Sequence, residues 1–161
     1  MKITITLLMA LLTMGIAHAH GDEKHSAQPH EESTGHAAML GQPGDPARVT
    51  RKVEISMSDA MRFTPASISV KTGETIRFVV KNEGRLKHEL VLGTPAELKE
   101  HAELMRRFPE MEHDDPNAIT VLPGKTGELV WRFNKTGGFE FACLVPGHFE
   151  AGMKGRLVVK D

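Results

Sequence analysis

The sequence predicts an all-β sandwich or small barrel with one helix inserted between its strands. From about residue 49 onward, apolar and polar residues alternate with period 2, which is typical of half-buried strands. Many short strands that follow one another closely favour a sandwich or a small barrel. The runs are separated by turn signals that contain Gly: Thr72-Gly73, Asn82-Glu83-Gly84, Pro123-Gly124, Thr136-Gly137-Gly138 and Pro146-Gly147.

Residues 1–19 have the features of a cleavable secretory signal. Lys2 supplies a positive charge, residues 3–16 are largely apolar, and Ala17-His18-Ala19 is a small-x-small cleavage site. The apolar run is too short to cross a bilayer comfortably. We therefore expect a protein that is exported to an oxidising compartment and has no stable membrane insertion once the signal is removed.

Residues 20–48 predict a disordered tail. The segment is polar and repeatedly interrupted by Gly and Pro, so it cannot bury enough apolar surface to offset its ordering entropy. It contains His20, His25, His30 and His36, whose imidazoles are mostly unprotonated at neutral pH and can bind a metal. Two interpretations stay open, a flexible copper or zinc sponge and a solvated linker.

Residues 49–161 form the predicted folded domain. Its strands are marked by alternating apolar positions: Val53, Ile55 and Met57; Ile68 and Val70; Ile76, Phe78 and Val80; Leu86, His88 and Leu90, followed by Val91 and Leu92; Leu129, Trp131 and Phe133; Phe139, Phe141 and Cys143; and Gly155, Leu157 and Val159.

The inserted helix is predicted to run from Pro95 to about Arg107. Thr94 suits the N-cap, Pro95 suits the first helical position, and Glu97 completes a capping box with Thr94. Pro109 ends the helix. We expect the apolar side chains Leu98, Ala102 and Met105 to face the sheet, and Lys99, Glu103 and Arg106 to face water.

The composition excludes several classes of protein. The net charge of -1 leaves no basic excess for nucleic-acid binding. With 1 Cys, the chain has neither an intrachain disulfide nor a zinc site that needs two thiolates, whereas 9 His and 9 Met are abundant metal ligands. We find no Ser-His-Asp arrangement and no phosphate-binding loop. Whether the protein is an enzyme stays open.

The segment from Cys143 to Met153 contains the strongest chemical signal. It places the Cys143 thiol, the His148 imidazole and the Met153 thioether in one short loop between two predicted strands. Two His, one Cys and a weak axial Met are the ligands of a blue-copper electron-transfer site. The second imidazole must come from elsewhere, and His88 is the best candidate because it lies on an inward-facing strand position.

These residues give the chain a resemblance to the cupredoxins, the azurin- and plastocyanin-like copper proteins, over about residues 50–161. With its helix, the acidic loop at residues 110–117 and its His-rich tail, the whole chain is most similar to the periplasmic copper-tolerance cupredoxins, the CopI-like proteins. The matching segments are Pro65, Ile68-x-Val70, Gly73-Glu74-Thr75, Asn82, His88 with Leu90 and Gly93, Phe141-x-Cys143, His148, and Met153-Lys154-Gly155.

The resemblance implies a Greek-key β-sandwich that binds copper tightly at one end, in a type 1 copper site. By position, His88 and His148 are the imidazole ligands, Cys143 is the thiolate and Met153 is the axial ligand. Azurin and plastocyanin have Asn directly after the first His, whereas this chain has Glu89. Reduction potential and colour are therefore not transferred.

A second copper site is a further hypothesis. His101 and Met105 are four residues apart on one helix face, and Met111 and His113 lie in the loop that follows. Two His and two Met suit Cu(I). The alternative is that Met105 belongs to the core and the two His residues are ordinary surface residues.

Two functions are consistent with these ligands. In the first, the protein confers copper tolerance by binding copper and oxidising Cu(I) to Cu(II), while the tail and loop ligands collect additional ions. In the second, it is a soluble one-electron carrier between respiratory partners. Both require a redox partner protein that the sequence does not identify, and the His-rich tail favours the first.

Overall fold

The computed structural model describes residues 40–111 and 114–161. The predicted signal and most of the predicted tail lie outside this range, as does His113. Within it are one α-helix, α1 (Pro95–Arg107), a short 3-10 helix (Pro46–Arg48), and ten strands: β1 (Gly41–Pro43), β2 (Arg51–Ser58), β3 (Arg62–Thr64), β4 (Ser67–Lys71), β5 (Thr75–Asn82), β6 (His88–Gly93), β7 (Ala118–Val121), β8 (Thr126–Phe133), β9 (Gly137–Ala142) and β10 (Lys154–Lys160).

The strands form two five-stranded sheets that pack as a sandwich. The first sheet has the order β1-β8-β5-β2-β3 and the second has the order β4-β10-β9-β6-β7. The pairs β2 with β5 and β4 with β10 are parallel, and the other pairs are antiparallel. This confirms the predicted all-β sandwich with one inserted helix.

The core lies between the sheets, where the predicted alternating positions point. Trp131 and Phe133 of β8 and Phe78 of β5 are fully buried, and Phe141 of β9 packs edge-on against Phe63 of β3. Strand β6 departs from the alternation, because all six of its residues are buried. One face of β6 meets the sandwich core, and the other is covered by α1.

Helix α1 begins and ends as predicted. The Thr94 side chain accepts a hydrogen bond from the Glu97 N–H, and the Glu97 carboxylate accepts one from the Thr94 N–H. Leu98, Ala102 and Met105 are buried against Val91 of β6 and neighbouring residues. Among the described residues, no helix has the length and apolar character needed to cross a membrane.

The predicted boundary of the disordered tail at residue 48 is wrong. Leu40 is 1% exposed and packs in the core, and β1 pairs with the edge of β8. The Asp45 side chain then caps the 3-10 helix. Three residues rich in Gly and Pro give no periodic signal, so β1 depends on pairing with a distant strand that the local sequence does not reveal.

Two other features differ from the sequence prediction. Strands β3 and β7 were not predicted, because each is short and has one fully buried residue, Phe63 and Val121 respectively. Leu86 does not continue the alternation of β6. It lies in the bend before that strand and is 46% exposed.

Candidate metal centre

The loop from Cys143 to Met153 is closed by its own backbone hydrogen bonds. The Cys143 N–H donates to the Met153 carbonyl at 3.0 Å, and the Met153 N–H donates to the His148 carbonyl at 3.0 Å. The His148 N–H in turn donates to the Val145 carbonyl at 2.9 Å. Gly147, with φ of 87°, allows the sharp turn before His148. The three potential ligands of this loop are therefore fixed relative to one another.

His88 reaches the same site from β6, which is paired with β9 in the same sheet. It is the first residue of β6 and is 0% exposed. The chain before it is anchored by the buried Asn82 side chain, which donates hydrogen bonds to the carbonyls of Leu86 and Val121 and accepts one from the Gly84 N–H. His88 therefore enters β6 from a turn that is tied to β7.

Three donor atoms converge at this end of the sandwich. The Nδ1 atoms of His88 and His148 are 3.2 Å apart, and the Cys143 Sγ lies 3.3 Å from the Nδ1 of His148 and 4.0 Å from that of His88. Metal–nitrogen and metal–sulfur bonds of about 2.0 and 2.3 Å would separate three donors around one ion by about 3.5 Å. The spacing of the three donors therefore fits a single ion.

The Cys143 thiol is unfavourably placed for ionisation in the absence of a metal. Burial raises its pKa to about 11, although the N–H groups of Glu89 and Val145 oppose that rise by hydrogen bonding. A thiolate is the form that binds metals. A buried thiol next to two imidazole nitrogens thus favours a cation that takes the place of the thiol proton.

The two imidazoles of the site are in close contact. Their ring centroids are 4.9 Å apart and the ring planes are inclined by 51°. Burial and the neighbouring His88 lower the pKa of His148, while the more distant Asp59 carboxylate opposes the shift. His148 thus favours the neutral state that a metal ligand requires.

Met153 adds a thioether from the same loop. It is 0% exposed and belongs to the cluster of buried residues that includes Cys143. Its backbone carbonyl accepts a hydrogen bond from the Cys143 N–H, and its N–H donates one to the His148 carbonyl. The four ligands expected from the sequence are thus buried together at one end of the sandwich: His88, Cys143, His148 and Met153.

Glu89, which stands where azurin and plastocyanin have Asn, contacts the site through its backbone. Its N–H donates to the Cys143 Sγ at 3.3 Å. Its carboxylate accepts a hydrogen bond from the Thr120 hydroxyl, at 3.3 Å to Oε1. The other oxygen, Oε2, is buried without a hydrogen-bond partner among the described residues.

Asp59 is a neighbour of the site that the sequence did not predict. Its Oδ1 lies 3.0 Å from the Nε2 of His88, on the side of the ring opposite the donor cluster. Asp59 follows β2 and is 29 residues before His88, so no local pattern connects the two. The one sequence signal is Gly84, whose missing side chain leaves room for this carboxylate.

Of the residues in the hypothetical second copper site, the structure describes His101, Met105 and Met111 but not His113. Met105 is 5% exposed and packs with Leu98, which agrees with its alternative interpretation as a core residue. The His101 Nδ1 lies 4.0 Å from an Asp115 carboxylate oxygen. Met105 and the exposed Met111 line one open cleft of about 470 Å³, together with Glu89 and Asp114.

The donor set and fold agree with a comparison against known families. Residues 49–160 match the family of copper binding proteins described as the plastocyanin/azurin family. The chain belongs to this family. Together with the Cys and His donors, membership of the plastocyanin/azurin family confirms the expected copper cofactor.

Individual relatives support the same assignment. The copper-resistant cuproprotein CopI of Rubrivivax gelatinosus is 54% identical over 89% of this chain and 84% of its own length. The protein of the same name from Pseudomonas aeruginosa is 38% identical over 81% and 87%. Reduced auracyanin from Roseiflexus castenholzii has a similar fold, with a TM-score of 0.61 at 22% identity over 70% of this chain and 99% of its own.

Proposed function

We propose that the protein confers copper tolerance in the periplasm by binding copper and oxidising Cu(I) to Cu(II). In this proposal His88, Cys143 and His148 would hold the redox copper, and Met153 would add its thioether. The observation that carries the proposal is the buried convergence of two Nδ1 atoms and one Sγ within 4.0 Å of one another.

The protein's own contribution is to hold these donors still. The backbone of Cys143, His148 and Met153 is joined by hydrogen bonds, and all four proposed ligands are buried. Copper supplies a one-electron change between Cu(I) and Cu(II). Donors that are held by packing and hydrogen bonds move little when the charge changes, which favours rapid electron transfer.

The names of the relatives support copper tolerance as the physiological role. Proteins named as copper-resistant cuproproteins match most of this chain, and the chain in turn covers most of their length. Oxidation of each Cu(I) substrate ion releases one electron. The proposal therefore needs an external electron acceptor, for which a redox partner protein in the same compartment is suitable.

Additional copper would bind outside the main site. The cleft beside Glu89 brings together the thioether-containing residues Met105 and Met111 with the carboxylate of Asp114, close to the loop residues Val145 and Pro146. Thioethers suit Cu(I) and carboxylates suit harder ions. The proposed additional ligands beyond this cleft are His101, His113 and the tail residues His20, His25, His30 and His36.

Copper titration of two chains tests the proposal. One chain begins at residue 20, and the other lacks residues 20–39 but keeps Leu40 and β1, which belong to the fold. We expect the longer chain to bind more copper per molecule, and both chains to bind one copper with intense visible absorption. A Cu(I)-specific chromogenic chelator would then follow the loss of added Cu(I) in the presence of an electron acceptor.

The outcomes separate the two functions. Consumption of Cu(I) that requires Cys143, together with greater copper binding by the longer chain, supports copper tolerance. Equal copper stoichiometry for the two chains with no consumption of Cu(I) would reject that proposal and favour the simple electron carrier.

A further inference from the structure

We propose that Asp59 is a positioning residue that fixes the His88 imidazole in its metal-binding tautomer and lowers the reduction potential of the copper site. This inference rests on the proposed role of His88 as a ligand. It extends that role to a carboxylate that lies outside the donor cluster and comes from the opposite sheet.

The two ring nitrogens of His88 have different partners. Nδ1 faces the Nδ1 of His148 at 3.2 Å and the Sγ of Cys143 at 4.0 Å, whereas Nε2 lies 3.0 Å from the Oδ1 of Asp59. An ionised carboxylate only accepts hydrogen bonds. The Nε2 must therefore carry the hydrogen, which leaves the lone pair of Nδ1 for the metal.

The carboxylate is itself held in place. The Arg85 N–H donates to Oδ2 at 2.8 Å, and the Leu86 N–H donates to Oδ1 at 3.3 Å. These two backbone donors orient the carboxylate and stabilise a negative charge on it. An aspartate is ionised at neutral pH, so Asp59 presents a negative charge to His88.

The backbone at Gly84 lies close to the Asp59 carboxylate, and this close approach allows Asp59 to contact His88. A Cβ on Gly84 would lie 2.0 Å from the Oδ1 of Asp59. Any side chain at this position would displace the carboxylate or the turn that carries Arg85 and Leu86. Glycine at position 84 thus allows the end of β2 to reach the residue that begins β6.

The electrostatic consequence has a definite sign. A carboxylate bonded to a ligating imidazole makes the imidazole a stronger base. The stronger ligand and the nearby negative charge stabilise Cu(II) more than Cu(I), because Cu(II) carries the larger positive charge. The lower potential helps the site to remain oxidised. Since the Asp59 side chain is 36% exposed, solvent weakens the effect without removing it.

The test compares Asp59→Asn with Glu83→Gln. The first variant removes the negative charge next to His88 and keeps an oxygen that can accept from Nε2. The second removes one negative charge from the same turn, where Glu83 pairs with Lys81 rather than with a proposed ligand. The measurements are redox titration of the copper protein, competition assays for Cu(I) and Cu(II), and ¹⁵N NMR of the diamagnetic Cu(I) form.

We expect Asp59→Asn to weaken Cu(II) binding about tenfold relative to Cu(I) binding. For a one-electron couple this corresponds to a potential about 59 mV higher. Glu83→Gln should leave the potential within measurement error. In the unmutated Cu(I) protein, the NMR spectrum should show a proton on the Nε2 of His88.

Two results would overturn the inference. One is a potential for Asp59→Asn equal to that of Glu83→Gln and of the unmutated protein. The other is an unprotonated Nε2 of His88 in the unmutated Cu(I) protein, a measurement that does not depend on how the variant folds. A protein that binds copper with these properties but consumes no Cu(I) would refute copper oxidation and leave the role of Asp59 intact.

Discussion

The backbone N–H of Glu89 donates a hydrogen bond to the Sγ of Cys143 at 3.3 Å. Strand β6 therefore supplies both an imidazole, from His88, and a fixed donor to the neighbouring sulfur. Because the donor is a backbone group, the bond does not depend on the side chain at position 89. Glu89 thus contacts the thiol without using its side chain, and the residue also lines the adjoining cleft.

The first prediction concerns the acidity of the Cys143 thiol in the metal-free protein. Since burial raises the pKa of this thiol to about 11, the ultraviolet absorption of the thiolate should be weak at neutral pH and should still increase above pH 10. Difference spectra against Cys143→Ser, recorded over a range of pH, measure this absorption. The same protein in guanidinium should show an ordinary thiol profile, and a folded-state titration that levels off near pH 8.5 would contradict the prediction.

The second prediction concerns acid stability without metal. The pKa of His148 is lowered from 6.5 in the fold, so below pH 6.5 the unfolded chain binds more protons at this residue than the folded chain. The free energy of unfolding should therefore decrease as the pH falls from 7 to 5. Denaturant unfolding of His148→Gln should show a weaker decrease over the same interval, whereas an identical pH dependence would exclude His148 as its source.

The third prediction concerns the ordered segment before β2. Leu40 is 1% exposed in the core, so Leu40→Ala should lower the free energy of unfolding by about 3 kcal/mol. The matched control is Leu122→Ala, because Leu122 is 57% exposed and its truncation should change stability by less than about 0.5 kcal/mol. Equal effects of the two substitutions would mean that Leu40 is not packed as described.

The fourth prediction concerns the buried Asn82 side chain. Asn82→Ala removes hydrogen bonds to Leu86 and Val121, and it should lower the free energy of unfolding by about 2 to 4 kcal/mol because buried polar groups lose their partners. Asn134→Ala is the control, since its side chain makes an exposed bond to Gln42. Similar costs for the two Asn residues would argue against the anchoring role of Asn82.

The sequence predicted the parts of the site that depend on local spacing. Cys143, His148 and Met153 lie in one loop, so their proximity follows from chain length alone. His88 was predicted from strand alternation and from the resemblance to cupredoxins. Helix α1 was predicted because its capping box is a short-range interaction between Thr94 and Glu97.

The features that the sequence did not predict depend on contacts between distant segments. Asp59 meets His88 because β2 ends close to the residue at which β6 begins, and an Asp in a turn is ordinary by itself. Strand β1 exists because it adds to the edge of β8. The continuous burial of β6 arises because α1 covers the face that would otherwise be exposed to solvent.

The most direct test of the copper assignment is the visible absorption spectrum of the copper-loaded protein beside that of Cys143→Ser. A copper bound by a Cys thiolate in the presence of two imidazoles should give an intense thiolate-to-copper band, and loss of the sulfur should abolish it. We predict an intense band in the unmutated protein and none in the variant. A band that survives in Cys143→Ser, or an unmutated protein that binds copper without one, would contradict it.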